Sequence, residues 1–135
     1  MKVWLVDTNV LLDVIGADKT FGERSAQTLS ECAQAGALVV NPVILAEVSA
    51  LLGSVEELNE LVPESLYRRD GIPDEACFLA GQAFARYKRR GGQKGRILAN
   101  FLIGAHAVVA GLGLISRDEG YSRVFDLELL NPAVR

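Results

Sequence analysis

The chain is poor in the residues on which small secreted and zinc-bound proteins depend. Its 135 residues include two cysteines, one histidine, one tryptophan and four prolines. Cys32 and Cys77 stand far apart, without the spacing of a metal-binding pair or the number needed for a disulfide framework. They read as reduced core thiols of a cytosolic protein. No apolar run approaches the roughly eighteen residues that a membrane span needs. No hydrophobic segment with a small-residue cleavage site opens the chain, so a cytoplasmic protein is expected. Internal repeats, linkers and low-complexity tracts are missing too. One α/β domain over residues 1–135 is the simplest account.

One sign of charge is also missing over a long stretch. From Ala76 to Arg117 there is no Asp or Glu, while Arg86, Lys88, Arg89, Arg90, Lys94, Arg96 and Arg117 make up half of the basic residues. The net charge of −3 does not draw nucleic acid to the chain as a whole. A one-sign block nevertheless suggests a basic surface for a polyanion. Lys88 to Arg90, followed by Gly91-Gly92, also suit a helix end, where cations complement the dipole. Lys94 and Arg96 have no such explanation.

What is present alternates between strand and helix. Val3 to Val6 is an unbroken bulky run, the pattern of a central parallel strand buried on both faces. Asp7 follows at its carboxyl end, where open α/β sheets place ligands. The plain alternative is a carboxylate that caps the next helix. Helices are expected over Asn9 to Ile15 and Phe21 to Ala35, with Gly16 and Gly36 as stops. Leu38 to Val40 reads as a buried strand, and Asn41-Pro42 as the cap and first position of a helix that carries Glu47. Ser54 with Glu57 forms a capping box. Glu64 to Leu66 reads as a short strand. Pro73-Asp74 opens a long helix to about Arg90, and Ala99 to Gly111 is a closely packed helix of small residues. Gly113 to Ile115 is a strand ending at Ser116-Arg117-Asp118, and Leu127 to Leu130 reads as a last edge strand.

Asp7 ends the first strand, Glu47 lies just inside the helix that follows the second, and Asp118 ends the later strand; in a parallel sheet these ends converge on one edge. Carboxylates gathered there repel, by roughly 4 kcal/mol per pair at ~4 Å and an effective dielectric near 20. A hard cation relieves that repulsion, and oxygen ligands point to Mg²⁺ or Mn²⁺ in preference to zinc.

Taken in order, Val6-Asp7-Thr8-Asn9-Val10, Asn41-Pro42 with Glu47, Phe101-Leu-Ile-Gly-Ala-His-Ala107 and Ser116-Arg117-Asp118 resemble a PIN domain of the VapC toxin type. Each piece is weak alone; their order and spacing from Lys2 to about Phe125 carry the resemblance. It implies a three-layer α/β/α sandwich with a mostly parallel sheet, a Mg²⁺-dependent endoribonuclease and a small VapB-type antitoxin as inhibitor. It also implies a homodimer. By the same resemblance Asp7, Glu47, the residue before Phe101, and Asp118 form the metal site. That residue is Asn100, where the family has Asp. Asn keeps a carbonyl oxygen but lacks the charge. The kept acids and basic loop favour a replacement made to silence a toxic enzyme over a natural variant, and weak or absent activity is expected.

The remaining candidates divide by role. Thr8 and Asn9 are read equally as helix-cap residues and as support for the metal site, and Ser116 as a turn residue or a nearby hydrogen-bonding group. Arg86, Lys94 and Arg96 are candidates for RNA or an acidic antitoxin segment, because the guanidinium fork suits phosphate. His106 reads as structural. Two other functions stand beside the nuclease. One is a phosphotransferase with Asp7 as nucleophile, against which Asn9 counts because a second acid is wanted there. The other is a catalytically silent protein that only holds RNA or an antitoxin.

Overall fold

The computed structural model describes residues 1–92 and 97–134. Among the described residues five parallel strands form one sheet in the order β3-β2-β1-β4-β5. They are β1 (Lys2–Val6), β2 (Gly36–Val40), β3 (Tyr67–Arg69), β4 (Gly113–Ile115) and β5 (Leu129–Leu130). As the apolar run of Val3 to Val6 implies, β1 is central, with Val3 beside Ala37 of β2 and Val6 beside Ile115 of β4. Leu5, Val6, Val39, Val40, Leu114 and Ile115 are all buried. Such strands need cover on both faces, which the helices supply.

The helices are α1 (Thr8–Ile15), α2 (Gly22–Ala35), α3 (Pro42–Ser49), α4 (Val55–Leu61), α5 (Asp74–Arg89), α6 (Leu98–Ala110) and α7 (Tyr121–Val124). Leu29 and Cys32 of α2 join the main core with the strands. A second apolar cluster lies between α5 and α6, where Ala76, Ala80 and Ala83 allow close approach to Phe101 and Ala105. Phe101 packs there against the rings of Phe84, Tyr87 and Phe125.

Local chemistry fixes the ends of these elements. Asn41 caps α3 by accepting from the Ile44 amide, and Pro42 needs no donor in the first turn. Ser54 accepts from the Glu57 amide, while Glu57 reaches back to the Gly53 amide. Gly111 closes α6 at φ 68°, a left-handed position that glycine takes without strain. A Cβ at Gly113 would stand 2.4 Å from the Trp4 ring, so the strand beside β1 needs glycine there.

Several expectations change. The third strand lies at Tyr67–Arg69, not Glu64 to Leu66, because a turn first closes when the Leu66 and Tyr67 amides donate to the Pro63 carbonyl. Tyr67 is then buried in the core. Cys77 is exposed on α5, so of the two thiols Cys32 is the core one. The short α7 was not legible in the sequence. Among the described residues no helix is long and apolar enough to cross a membrane.

Candidate functional site

Asp7 and Asp118 follow the ends of β1 and β4, and Glu47 lies within α3. Asp7 follows β1, and its amide continues the ladder to the Ile115 carbonyl at 2.9 Å. The same residue caps α1, one carboxylate oxygen accepting from the Thr8 amide at 2.8 Å. The helix-cap reading of Asp7 therefore holds. The other carboxylate oxygen accepts from the Ser116 hydroxyl at 2.7 Å and the Asn9 amide group at 3.3 Å. Asp7 is only 4% exposed. Burial pushes its carboxyl above the usual range against the pull of Ser116, the Thr8 amide and the nearby Tyr121 hydroxyl, and the Glu47 charge pushes the same way as burial.

Glu47 projects from α3 and accepts the Thr8 hydroxyl at 2.6 Å, which ties the second acid to the residue beside the first. Ser116 sits just past β4, fully buried. It donates to Asp7 and accepts from the Asp118 amide at 3.0 Å. Asn9 accepts from the Arg117 amide at 3.2 Å, closing the lattice from α1 to the loop after β4. Asp118 takes the Gly120 amide at 2.9 Å and so turns the chain into α7.

Asn100 lies in the first turn of α6. Its side-chain carbonyl accepts from the Ile97 amide at 3.2 Å, so as placed this oxygen serves the helix start. Asp7, Asn100 and Asp118 surround one further group, the hydroxyl of Tyr121 on α7. Among the described residues that hydroxyl is buried and meets no partner at full hydrogen-bonding geometry, although the Asp7 and Asn100 side chains lie near enough to act on it. Burial, reinforced by the Asp7 charge, holds the phenol far above its ordinary range, so it stays protonated.

Tyr121 was missed by sequence reading, as was the role of Arg117. Arg117 is not part of a free basic surface. Its guanidinium grips the buried Asp13 carboxylate through two bonds of 2.7 and 2.9 Å and lies 4.1 Å from the centre of the Phe21 ring. Ser25 adds a bond to the same carboxylate at 2.9 Å. His106 is structural: its Nδ1 accepts from the buried Asn41 amide group at 3.0 Å, with the tautomer following from that bond. Burial lowers its pKa, partly offset by Asp70.

A cleft of about 590 Å³ lies against the acidic site, sharing Phe101 and Gly120 with the small pocket around Asn100 and Tyr121. Arg86, Arg90 and Arg123 line it with Tyr87, Gly92 and Val124. None of the three arginines has an ion pair among the described residues. Arg123, outside the sequence-read basic block, arrives from α7. Lys94 and Arg96 lie outside the described residues.

The donors for a cation are carboxylate, amide and hydroxyl oxygens, a set that suits Mg²⁺ or Mn²⁺. Among the described residues no three His, Cys, Asp or Glu side chains form a ready cage. A small hard cation that keeps several of its waters needs few protein ligands. The unpartnered Tyr121 hydroxyl, buried between two acids, is a further polar group that such a hydrated ion would satisfy.

A parallel α/β sheet with acids past the ends of β1 and β4 and a third on α3 defines the class of protein. A PIN-domain profile matches residues 4–126, and the chain belongs to that family. Among solved structures, VapBC2 from Rickettsia felis bound to a promoter DNA fragment superposes with a TM-score of 0.75 at 17% identity, covering 96% of this chain and 98% of that one. FitAcB from Neisseria gonorrhoeae gives 0.71 at 22% identity, over 98% and 99%. A toxin–antitoxin complex from Klebsiella pneumoniae gives 0.68 at 18%, over 95% and 96%. At these identities the likeness is one of fold. No curated protein matches the sequence.

Proposed function

We propose that the chain is a VapC-type endoribonuclease toxin, dependent on Mg²⁺ with Mn²⁺ as a substitute, paired with a VapB-type antitoxin and acting as a homodimer. The observation that carries this reading is Asp7: a nearly buried carboxylate at the end of the central strand, fixed by three donors, with Glu47 nearby and an arginine-lined cleft adjoining. The PIN-domain match supports a nuclease, and the VapBC and toxin–antitoxin names of similar folds support an antitoxin partner.

In this reading Asp7, Glu47 and Asp118 hold the cation, with the Asn100 amide as a weak fourth contributor once its oxygen turns from Ile97. Such an ion, when bound, would supply Lewis-acid activation of a water and offset charge on the reacting phosphate. The chain's own residues do the positioning. Ser116, Asn9 and the Thr8 amide fix the Asp7 oxygens, and the Thr8 hydroxyl fixes Glu47. Arg86, Arg90 and Arg123 take phosphates of the RNA along the cleft.

Asn100 gives the second reading, a catalytically silent binder of RNA or antitoxin, some support, because its oxygen is engaged by the Ile97 amide. An RNA cleavage assay with and without Mg²⁺ separates the two. The chain as it stands should cleave little. Asn100→Asp should gain Mg²⁺-dependent cleavage of about 10²–10³-fold, the usual effect of one electrostatic group in a reacting site. Adding Asp7→Asn should abolish the gain. Silence of the Asn100→Asp protein would favour the binder, and equal cleavage by both forms would remove position 100 from the site.

A further inference from the structure

We infer that Tyr121 is a positioning residue of the acidic site, its hydroxyl donating a hydrogen bond to an oxygen of a hydrated divalent cation held by Asp7 and Asp118. This rests on the cation-binding reading above. Tyr121 is 2% exposed, and its hydroxyl is buried with no partner among the described residues. A hydroxyl left unpaired in a protein interior is costly, so a native one asks for a partner beyond the described residues. The groups around it say what that partner is. Two are the carboxylates of Asp7 and Asp118 and the third is the Asn100 amide. A ligand that joins two carboxylates and accepts a hydrogen bond is positive overall and carries an oxygen. A hydrated Mg²⁺ or Mn²⁺ has both properties.

The ring is held for this task by packing. Gly104 of α6 leaves the space: a Cβ there would stand 2.4 Å from Phe125 and 3.2 Å from the Tyr121 ring. Phe101, Phe125 and Val124 line the same small pocket. The short α7 begins at Tyr121, immediately after the turn that Asp118 closes on Gly120, so the acid and the phenol are placed by one local structure.

The test uses Mg²⁺ or Mn²⁺ alone as the probe and thermal unfolding as the readout. It compares the chain with Tyr121→Phe, and repeats the pair with Asn100→Asp in both. Phenylalanine keeps the ring and its packing. Without metal, Tyr121→Phe should unfold at the same temperature or higher, because it discards an unsatisfied hydroxyl. The cation concentration giving half of the stabilisation should rise about tenfold, the usual cost of losing a partner that orients a metal's surroundings. A drop in metal-free stability would mean that the hydroxyl bonds Asp7 directly, and would overturn the inference. Equal cation midpoints in the two forms would overturn it too, while leaving the acids as the cation site. No cation response in the unsubstituted chain or in Asn100→Asp would overturn the cation site itself, and this inference with it.

Discussion

Breaking the Arg117–Asp13 pair should destabilise the fold without touching nucleic-acid binding. The Asp13 side chain is 5% exposed and that of Arg117 27%. The carboxylate receives two guanidinium bonds and the Ser25 hydroxyl, so most of its hydration has been replaced by fixed donors. Removing the partner of a buried charge costs about 3–5 kcal/mol. Water reaches part of this guanidinium, which lowers the figure for Arg117→Met to about 2–3 kcal/mol. Methionine retains an apolar stem over Phe21, so the loss reports the charge pair more than the ring contact. Asp13→Asn should cost less, since the Ser25 bond has a surviving acceptor. Urea denaturation of the two single variants and the double variant closes a cycle, in which a coupling of about 1–3 kcal/mol is expected for a close pair. A coupling below about 0.5 kcal/mol would refute the claim that this ion pair organises the packing of α1 against the loop after β4. The same Arg117→Met protein should bind single-stranded RNA with an unchanged salt slope. A lower slope would return Arg117 to the RNA surface.

Two further outcomes test the cleft and the core. Replacing Arg86, Arg90 and Arg123 together by Ala should weaken RNA binding and reduce the slope of log affinity against log salt by about 0.7 for each phosphate no longer neutralised; fluorescence anisotropy at several salt concentrations reads it, and an unchanged slope would make the cleft a merely solvated surface. For His106, burial sets the folded value below 6.5, so between that value and 6.5 the unfolded chain binds more protons. Stability then rises with pH across this window and is lost as pH falls below 6.5. Urea midpoints just below 6.5 should show this slope, and His106→Gln should flatten it; an equal slope in the variant would mean that His106 titrates alike in both states.

The sequence by itself determined the elements whose signals are local. The unbroken apolar run of β1, the Asn41-Pro42 start of α3, the Ser54–Glu57 cap and the glycine stops all act within a few residues, and each stands where those signals place it. The order of short motifs also sufficed for the family, because the spacing of Asp7, Glu47, Phe101 and Asp118 reflects how often the chain returns to one sheet edge. Strand β3 escaped this local reading because the turn onto the Pro63 carbonyl carries the chain past Leu66 before the strand begins, leaving Leu66 exposed and Tyr67 buried.

Only the tertiary structure decided what each charge does. Arg117 and Arg123 look alike in sequence, yet one is consumed by Asp13 and the other is left in the cleft. Asp13 belongs to a helix whose pattern gave no hint of a buried ion pair, since its partners Ser25 and Arg117 come from elsewhere in the chain. Tyr121 likewise reads as an ordinary aromatic until Gly104, Phe125 and the Asp118 turn place its hydroxyl among the acids. A charge or hydroxyl takes its role from the groups within a few ångströms, and for these residues those groups are remote in sequence.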